Sequence, residues 1–251
     1  MFFDFYKSDV QAVYLLWVVP LAFLVYLFLT QQGWRASPAA RDQDAVFVRA
    51  YAWLFTFETL LDSFATTPLV RWLGVADGPV GTVVMIAFVL LGDFRVLFLL
   101  QRLARPRLGM QQVIAESALW TLPVPLVAVV IDWLLRTVAG PLPAQTIWLV
   151  YEIAFVVFAL FIRQVLLPDW LEGARGPRLA YLQTVTTYVA AYYSLWAISD
   201  VIVLILGLDV GWLLRVVPNQ LYYAFYVPFV YFWFFWSSDQ AATSTSTQAS
   251  R

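Results

Sequence analysis

Glu58 and Asp62 stand four residues apart in an otherwise apolar stretch, and Gly92-Asp93-Phe94-Arg95 interrupts the stretch that follows. Asp132, Glu152 and Asp200 interrupt three later ones, and Arg215 enters the last. A charge at the centre of a membrane helix costs about 2.5–3.5 kcal/mol, so each of these residues marks a functional hypothesis. Spacing says what each can do. Residues i and i+4 share a helix face, so Glu58 and Asp62 form a carboxylate pair that resists double ionisation in a low dielectric. Such a pair can exchange a proton, or it can clamp helices through an arginine. Residues two apart face away from each other, so Asp93 and Arg95 need partners on neighbouring helices. Glu58, at the depth of Arg95, is the economical counter-ion, and Gly92 lets a helix approach beside the pair.

A second group lies toward one face of the membrane. Asp132, Asp200 and Arg215 fall at similar depth, Arg136 just beyond them and Glu152 slightly deeper. A vestibule of this kind concentrates cations or protons, or holds the carboxylate or amine of a solute. Asp200 and Arg215 can equally form one salt bridge across a short hairpin. In the last stretch Pro218 frees a backbone carbonyl, for which Asn219 and Gln220 offer hydrogen bonds. The aromatic run that follows, LYYAFYVPFVYFWFFW, reads as lipid-facing and interfacial anchors.

The elements that carry these residues are long and apolar. The 251 residues are 62% hydrophobic and 12% charged, with a mean hydropathy of +0.76; a soluble domain carries about 25% charged residues. Runs of about 20 apolar residues match the bilayer's hydrocarbon thickness. They fall at 10–30, 46–66, 80–103, 114–137, 144–166, 180–206 and 211–236. The expected fold is all-α, a polytopic integral membrane bundle of seven transmembrane helices. Residues 1–236 form one domain, and the Ser/Thr-rich segment 237–251 is a disordered cytoplasmic tail. A transmembrane barrel would show alternating segments of roughly ten residues, and none occurs. The first residues lack the basic start and small-residue cleavage site of a signal peptide, so the first helix is retained.

Positive residues orient the bundle. Ten of them (Arg35, Arg41, Arg49, Arg102, Arg105, Arg107, Arg163, Arg175, Arg178 and Arg251) fall on one side, against four (Lys7, Arg71, Arg136 and Arg215) on the other. This predicts the N-terminus outside and the C-terminus inside. The connections around Gly140-Pro141-Leu142-Pro143 and Gly207-Leu208-Asp209 are short, so the helices they join are antiparallel neighbours. Pro123 and Pro125 mark a kink in the fourth helix. Asp62, Asp132 and Asp200 recur near the same ends of alternate helices, as in a repeated hairpin.

Composition removes several chemistries. The chain has no cysteine and no histidine, which excludes thiolate nucleophiles, His-dependent triads, His-ligated haem and His-ligated chlorophyll. A retinal Schiff base needs a lysine in the last helix, and Lys7 is the chain's lysine. No cofactor, metal site or catalytic residue is therefore assigned, and a net charge of −1 gives no basic patch for nucleic acid. Three readings remain. A transporter or channel for a small solute or ion would use Glu58, Asp62, Asp93, Arg95, Asp132, Glu152, Asp200, Arg215, Asn219 and Gln220 as its pathway. A non-catalytic subunit would use the same charges as clamps in a homo-oligomer or a larger membrane complex. An intramembrane enzyme acting on lipid or isoprenoid substrates would need acids clustered around a divalent ion. Six acids against at most three interior bases favour transport, because the bases cannot neutralise them all. The arginine-rich, Ala/Val/Leu-rich composition points to a bacterial inner membrane, with the lipid bilayer as the first partner.

Overall fold

The computed structural model describes residues 1–76, 78–172 and 176–249, with side chains as far as Ser237. Arg175 and Arg251, used for the orientation, lie outside the described residues, as do the side chains of the tail beyond Ser237. Among the described residues every regular element is helical. Helix α1 is Val10–Leu29, and α2 is Gln43–Phe64, prolonged by a π turn at Ala65–Leu69 and by Val70–Trp72. Next come α3 at Pro79–Ala104, α4 at Met110–Ala139, α5 at Thr146–Trp170 and α6 at Pro177–Leu204. Helix α7 starts in short pieces, Val210–Leu214 and Val216–Asn219, passes through a π turn at Gln220–Phe225 and continues as Tyr226–Ala249. The backbone is thus helical through most of the segment expected as a disordered tail.

Five of these helices, α1, α3, α4, α5 and α6, are long and apolar enough to cross a membrane. The chain is in this sense a multi-pass membrane protein. Helix α2 is less apolar because it carries Asp44, Arg49, Glu58 and Asp62, and α7 because it is rich in tyrosine and tryptophan. The outer surface supports the same conclusion. Val83, Leu126, Trp133 and Val138 are exposed while Asp93, Arg95 and Asp200 are buried, the reverse of a water-soluble protein.

Local chemistry sets the helix ends. The Asp42 carboxylate accepts the Asp44 and Ala45 amides at 2.7 and 3.1 Å and caps α2. Pro79 and Pro177 occupy first-turn positions, where their missing N–H costs nothing. Helix α4 is interrupted at Leu122, immediately before Pro123, which is the expected kink. It ends at Gly140, whose φ of +83° favours a residue without Cβ. Each helix packs on the next, and α7 packs on α1, α2 and α6, so the bundle closes on itself.

The aromatic run of α7 departs from the lipid-facing role expected of it. Phe225, Phe232 and Trp236 are exposed, but Tyr222, Tyr226 and Tyr231 are buried with Tyr51, Tyr181, Tyr192 and Tyr193 of other helices. A phenol in hydrocarbon needs a hydrogen-bond partner, and the interior supplies several. The Tyr51 hydroxyl donates to the Arg95 carbonyl at 3.0 Å, and that of Tyr181 to the Val230 carbonyl at 3.1 Å.

Candidate functional site

Arg95 of α3 is fully buried. Its Nη1 donates to Glu58 Oε2 at 3.2 Å and to Thr59 Oγ1 at 2.8 Å, both on α2. Its Nη2 donates to the Tyr222 carbonyl of α7 at 2.8 Å. That carbonyl lies in the π turn Gln220–Phe225, whose wider winding breaks the ordinary i→i−4 ladder and leaves backbone oxygens for other donors. The Tyr222 ring centroid sits 4.2 Å from the guanidinium carbon and that of Tyr226 5.1 Å, so the cation also rests on aromatic faces. Gly92 makes this possible. A Cβ at that position would come within 1.5 Å of the Tyr222 hydroxyl oxygen.

Asp93, two residues before Arg95 on α3, has a different environment. Its carboxylate accepts the Tyr193 hydroxyl of α6 at 2.5 Å and, closely, the Tyr151 hydroxyl of α5. No cation lies within ion-pair distance of it among the described residues. Two phenols therefore do the work that an arginine does for Glu58.

Toward the end of the bundle that carries the N-terminus, Arg215 gathers two acids. Its Nη1 lies 3.3 Å from Glu152 Oε1 and makes a close contact with Asp200 Oδ1, while Nε donates to the Tyr6 hydroxyl at 3.3 Å. Gln145 donates to the other Asp200 oxygen at 2.7 Å. Asp132 is not part of this group. It pairs at 2.7 Å with Arg136 on its own helix, and Arg136 also donates to the Leu142 carbonyl at 2.8 Å, holding the short loop after Gly140. Asn219 accepts the Trp196 indole N–H at 2.8 Å rather than compensating a backbone group, and Gln220 begins the π turn, half-buried.

A cavity of about 280 Å³ opens among these groups. It runs from exposed Lys7 to buried Asp62, past Glu152, Arg215, Asn219 and an aromatic wall that includes Trp148, Trp196 and Tyr222. Three π turns contribute to its lining. Val10–Tyr14 supplies Gln11, Ala65–Leu69 supplies Thr66 and Thr67, and Gln220–Phe225 supplies Tyr222 and Tyr223. Such turns occur often at functional sites because they widen a helix and redirect its side chains. Asp62 is 2% exposed, and among the described residues its carboxylate accepts only a long 3.4 Å bond from Thr66. Tyr151 and Tyr193 also line the cavity, so Asp93 lies one phenol behind its wall.

The ten residues singled out in the sequence are therefore divided among several environments. Asp62, Glu152, Arg215 and Asn219 border the cavity; Glu58 and Arg95 pair beyond it; Asp93 is bonded to tyrosines. Asp200 stands behind Arg215, while Asp132 pairs with Arg136 along α4 and Gln220 belongs to the π turn. Asp62, Asp132 and Asp200, similar in position along their helices, share no common environment. Sequence reasoning passed over Gln11, Tyr151, Tyr193 and Trp196, and also Arg49, which is buried rather than placed in a loop. Arg49 donates to the Leu27 carbonyl at 2.7 Å and the Tyr231 hydroxyl at 2.8 Å, closing the C-terminal end of α1. The tyrosines had one legible signal: hydroxyls at Tyr188, Tyr192, Tyr222 and Tyr226 repeat at four-residue spacing, which places them on single faces. Among the described residues no three acids converge as metal ligands. Compared with protein-family models, curated proteins and solved structures, the chain matches none.

Proposed function

We propose that the chain is a membrane transporter or channel for a small solute or ion, built from seven transmembrane helices with the N-terminus outside and the C-terminus inside a bacterial inner membrane. The observation that carries this reading is the cavity beside Asp62, a buried carboxylate with no cation within ion-pair distance among the described residues. A buried acid facing open space is placed to take a proton or a cation, whereas a purely structural acid is fully paired. Asp93, reached through Tyr151 and Tyr193, is the next group along the same path, and Glu58–Arg95 closes the route beyond it. The alternative is a non-catalytic subunit, and the pairing of Glu58, Asp132, Glu152 and Asp200 with arginines favours it. Transport and clamping predict different fluxes. Proteoliposomes holding an internal pH dye should acidify under an imposed gradient in the presence of a permeant solute, and Asp62→Asn should lower that rate at least tenfold. Glu116→Gln, on the opposite end and paired with Arg105, should leave it unchanged. A parent chain that moves neither protons nor small cations supports the subunit reading instead. Because the chain lacks cysteine, the topology can be read with single substitutions: Ser8→Cys should react with an impermeant maleimide from outside and Ser246→Cys only from inside.

A further inference from the structure

We infer that the cavity binds a compact organic monocation, an ammonium group carried on a few heavy atoms. The inference rests on the reading of the cavity as a solute site and adds the chemistry of its occupant. Charge is the first ground. Asp62 and Glu152 are in the wall and Asp200 directly behind it; the bases of the lining are Lys7, exposed at the mouth, and buried Arg215, which is shared between Glu152 and Asp200. Asp62 is left without a cation among the described residues. Unmet hydrogen bonding is the second. Glu152 is 4% exposed, and its Oε2 has no hydrogen-bond partner among the described residues. A buried carboxylate oxygen without a donor is costly, and a cation held in the cavity would offset the negative charge of that carboxylate. Walls are the third. Trp148, Trp196 and Trp212 line the space together with tyrosines, and stacked aromatic faces stabilise a desolvated cation that carboxylates attract. An anion would meet the acids, and a neutral solute would leave them unmatched. At about 280 Å³ the space stands at the small end of ligand pockets, roughly 300–1,000 Å³, so the occupant is compact.

The test uses the full-length protein in lipid nanodiscs, titrated with choline and with tetramethylammonium and followed by tryptophan fluorescence and calorimetry. The probes for comparison are 3,3-dimethylbutan-1-ol, the uncharged isostere of choline, then sodium ion and acetate. Saturable binding of both ammonium ions is expected, at least tenfold tighter than that of the alcohol. Asp62→Asn and Glu152→Gln should each weaken it at least tenfold, while Glu116→Gln binds as the parent does. Equal binding of the alcohol, preference for acetate, or competition by sodium at equal concentration overturns the inference, and these comparisons need only the parent chain. Asp62→Asn and Glu152→Gln variants that fold and bind as the parent does overturn it as well. Ammonium binding without flux removes the transport reading and keeps the site. Flux of another solute without ammonium binding removes this inference and keeps transport.

Discussion

Replacing Arg95 by methionine tests whether the mid-membrane charges act as a unit. Methionine fills similar length without a donor, so Glu58 is left buried with no cation and its Oε2 without the 3.2 Å bond. Thr59 Oγ1 and the Tyr222 carbonyl also lose their donors, at 2.8 Å each. Breaking a buried ion pair from one side costs about 3–5 kcal/mol, and a hydrogen bond to a charged group is worth about 1.5–3 kcal/mol. These figures overlap, because part of the pair's cost is the lost bonds, so Arg95→Met should cost about 3–5 kcal/mol in total. Glu58→Gln leaves the guanidinium uncompensated and should also destabilise, though less, since the amide oxygen still accepts from Nη1. The double variant has neither charge. Its cost should fall short of the sum of the singles by about 0.5–3 kcal/mol, the range for residues in one network. The measurement is reversible unfolding of the detergent-solubilised protein with increasing SDS, followed by circular dichroism, for the four members of the cycle. Single-variant costs that add to within about 0.5 kcal/mol would show that the two side chains are energetically independent. The role assigned to Arg95 would then be wrong.

Gly92→Ala should destabilise by about 1–3 kcal/mol, the usual cost of overpacking, because its Cβ meets the Tyr222 phenol; thermal melting at parent values would show that Tyr222 is free to move. Tyr193→Phe should cost about 1–3 kcal/mol by leaving one Asp93 oxygen without its donor, and adding Asp93→Leu to that variant should recover part of the loss; unfolding titrations check both. The exposed Asp209 carboxylate is held below its ordinary value, chiefly by the Phe2 amide at 2.9 Å, with the N-terminal ammonium adding to it. A depressed carboxyl stabilises above its unfolded value and loses that contribution as pH falls through its folded one. The contact between the short helix Phe2–Tyr6 and the start of α7 should therefore be intact at neutral pH and loosen below pH 3.8. Asp209→Asn should weaken it at every pH, as read from exchange of the Phe2 and Phe3 amides.

Much of this protein's character is a property of segments and needs no partner. Apolar length specifies helices that cross a bilayer, Asp42 and Gly140 specify where two of them start and stop, and Pro123 specifies a break. The missing histidine and cysteine limit the chemistry whatever the fold. Glu58 as the counter-ion of Arg95 and the Asp200–Arg215 bridge were also legible, because depth along a helix follows from counting residues. The fates of Asp62, Asp93 and Asp132 were not. Which side chain meets which depends on the rotation of each helix about its axis, and one residue changes that angle by about 100°. Each π turn adds a residue to a turn and so rotates everything beyond it relative to an unbroken helix. The turns at Ala65–Leu69 and Gln220–Phe225 bring Thr66 and Tyr222 to the cavity wall, and no periodicity in the sequence announces them. Glu58 and Asp62 share one face of α2, yet Arg95 occupies the space beside the first and open cavity lies beside the second. Only neighbouring helices can set that difference, because a carboxylate's chemistry in hydrocarbon is decided by the nearest group able to replace its water.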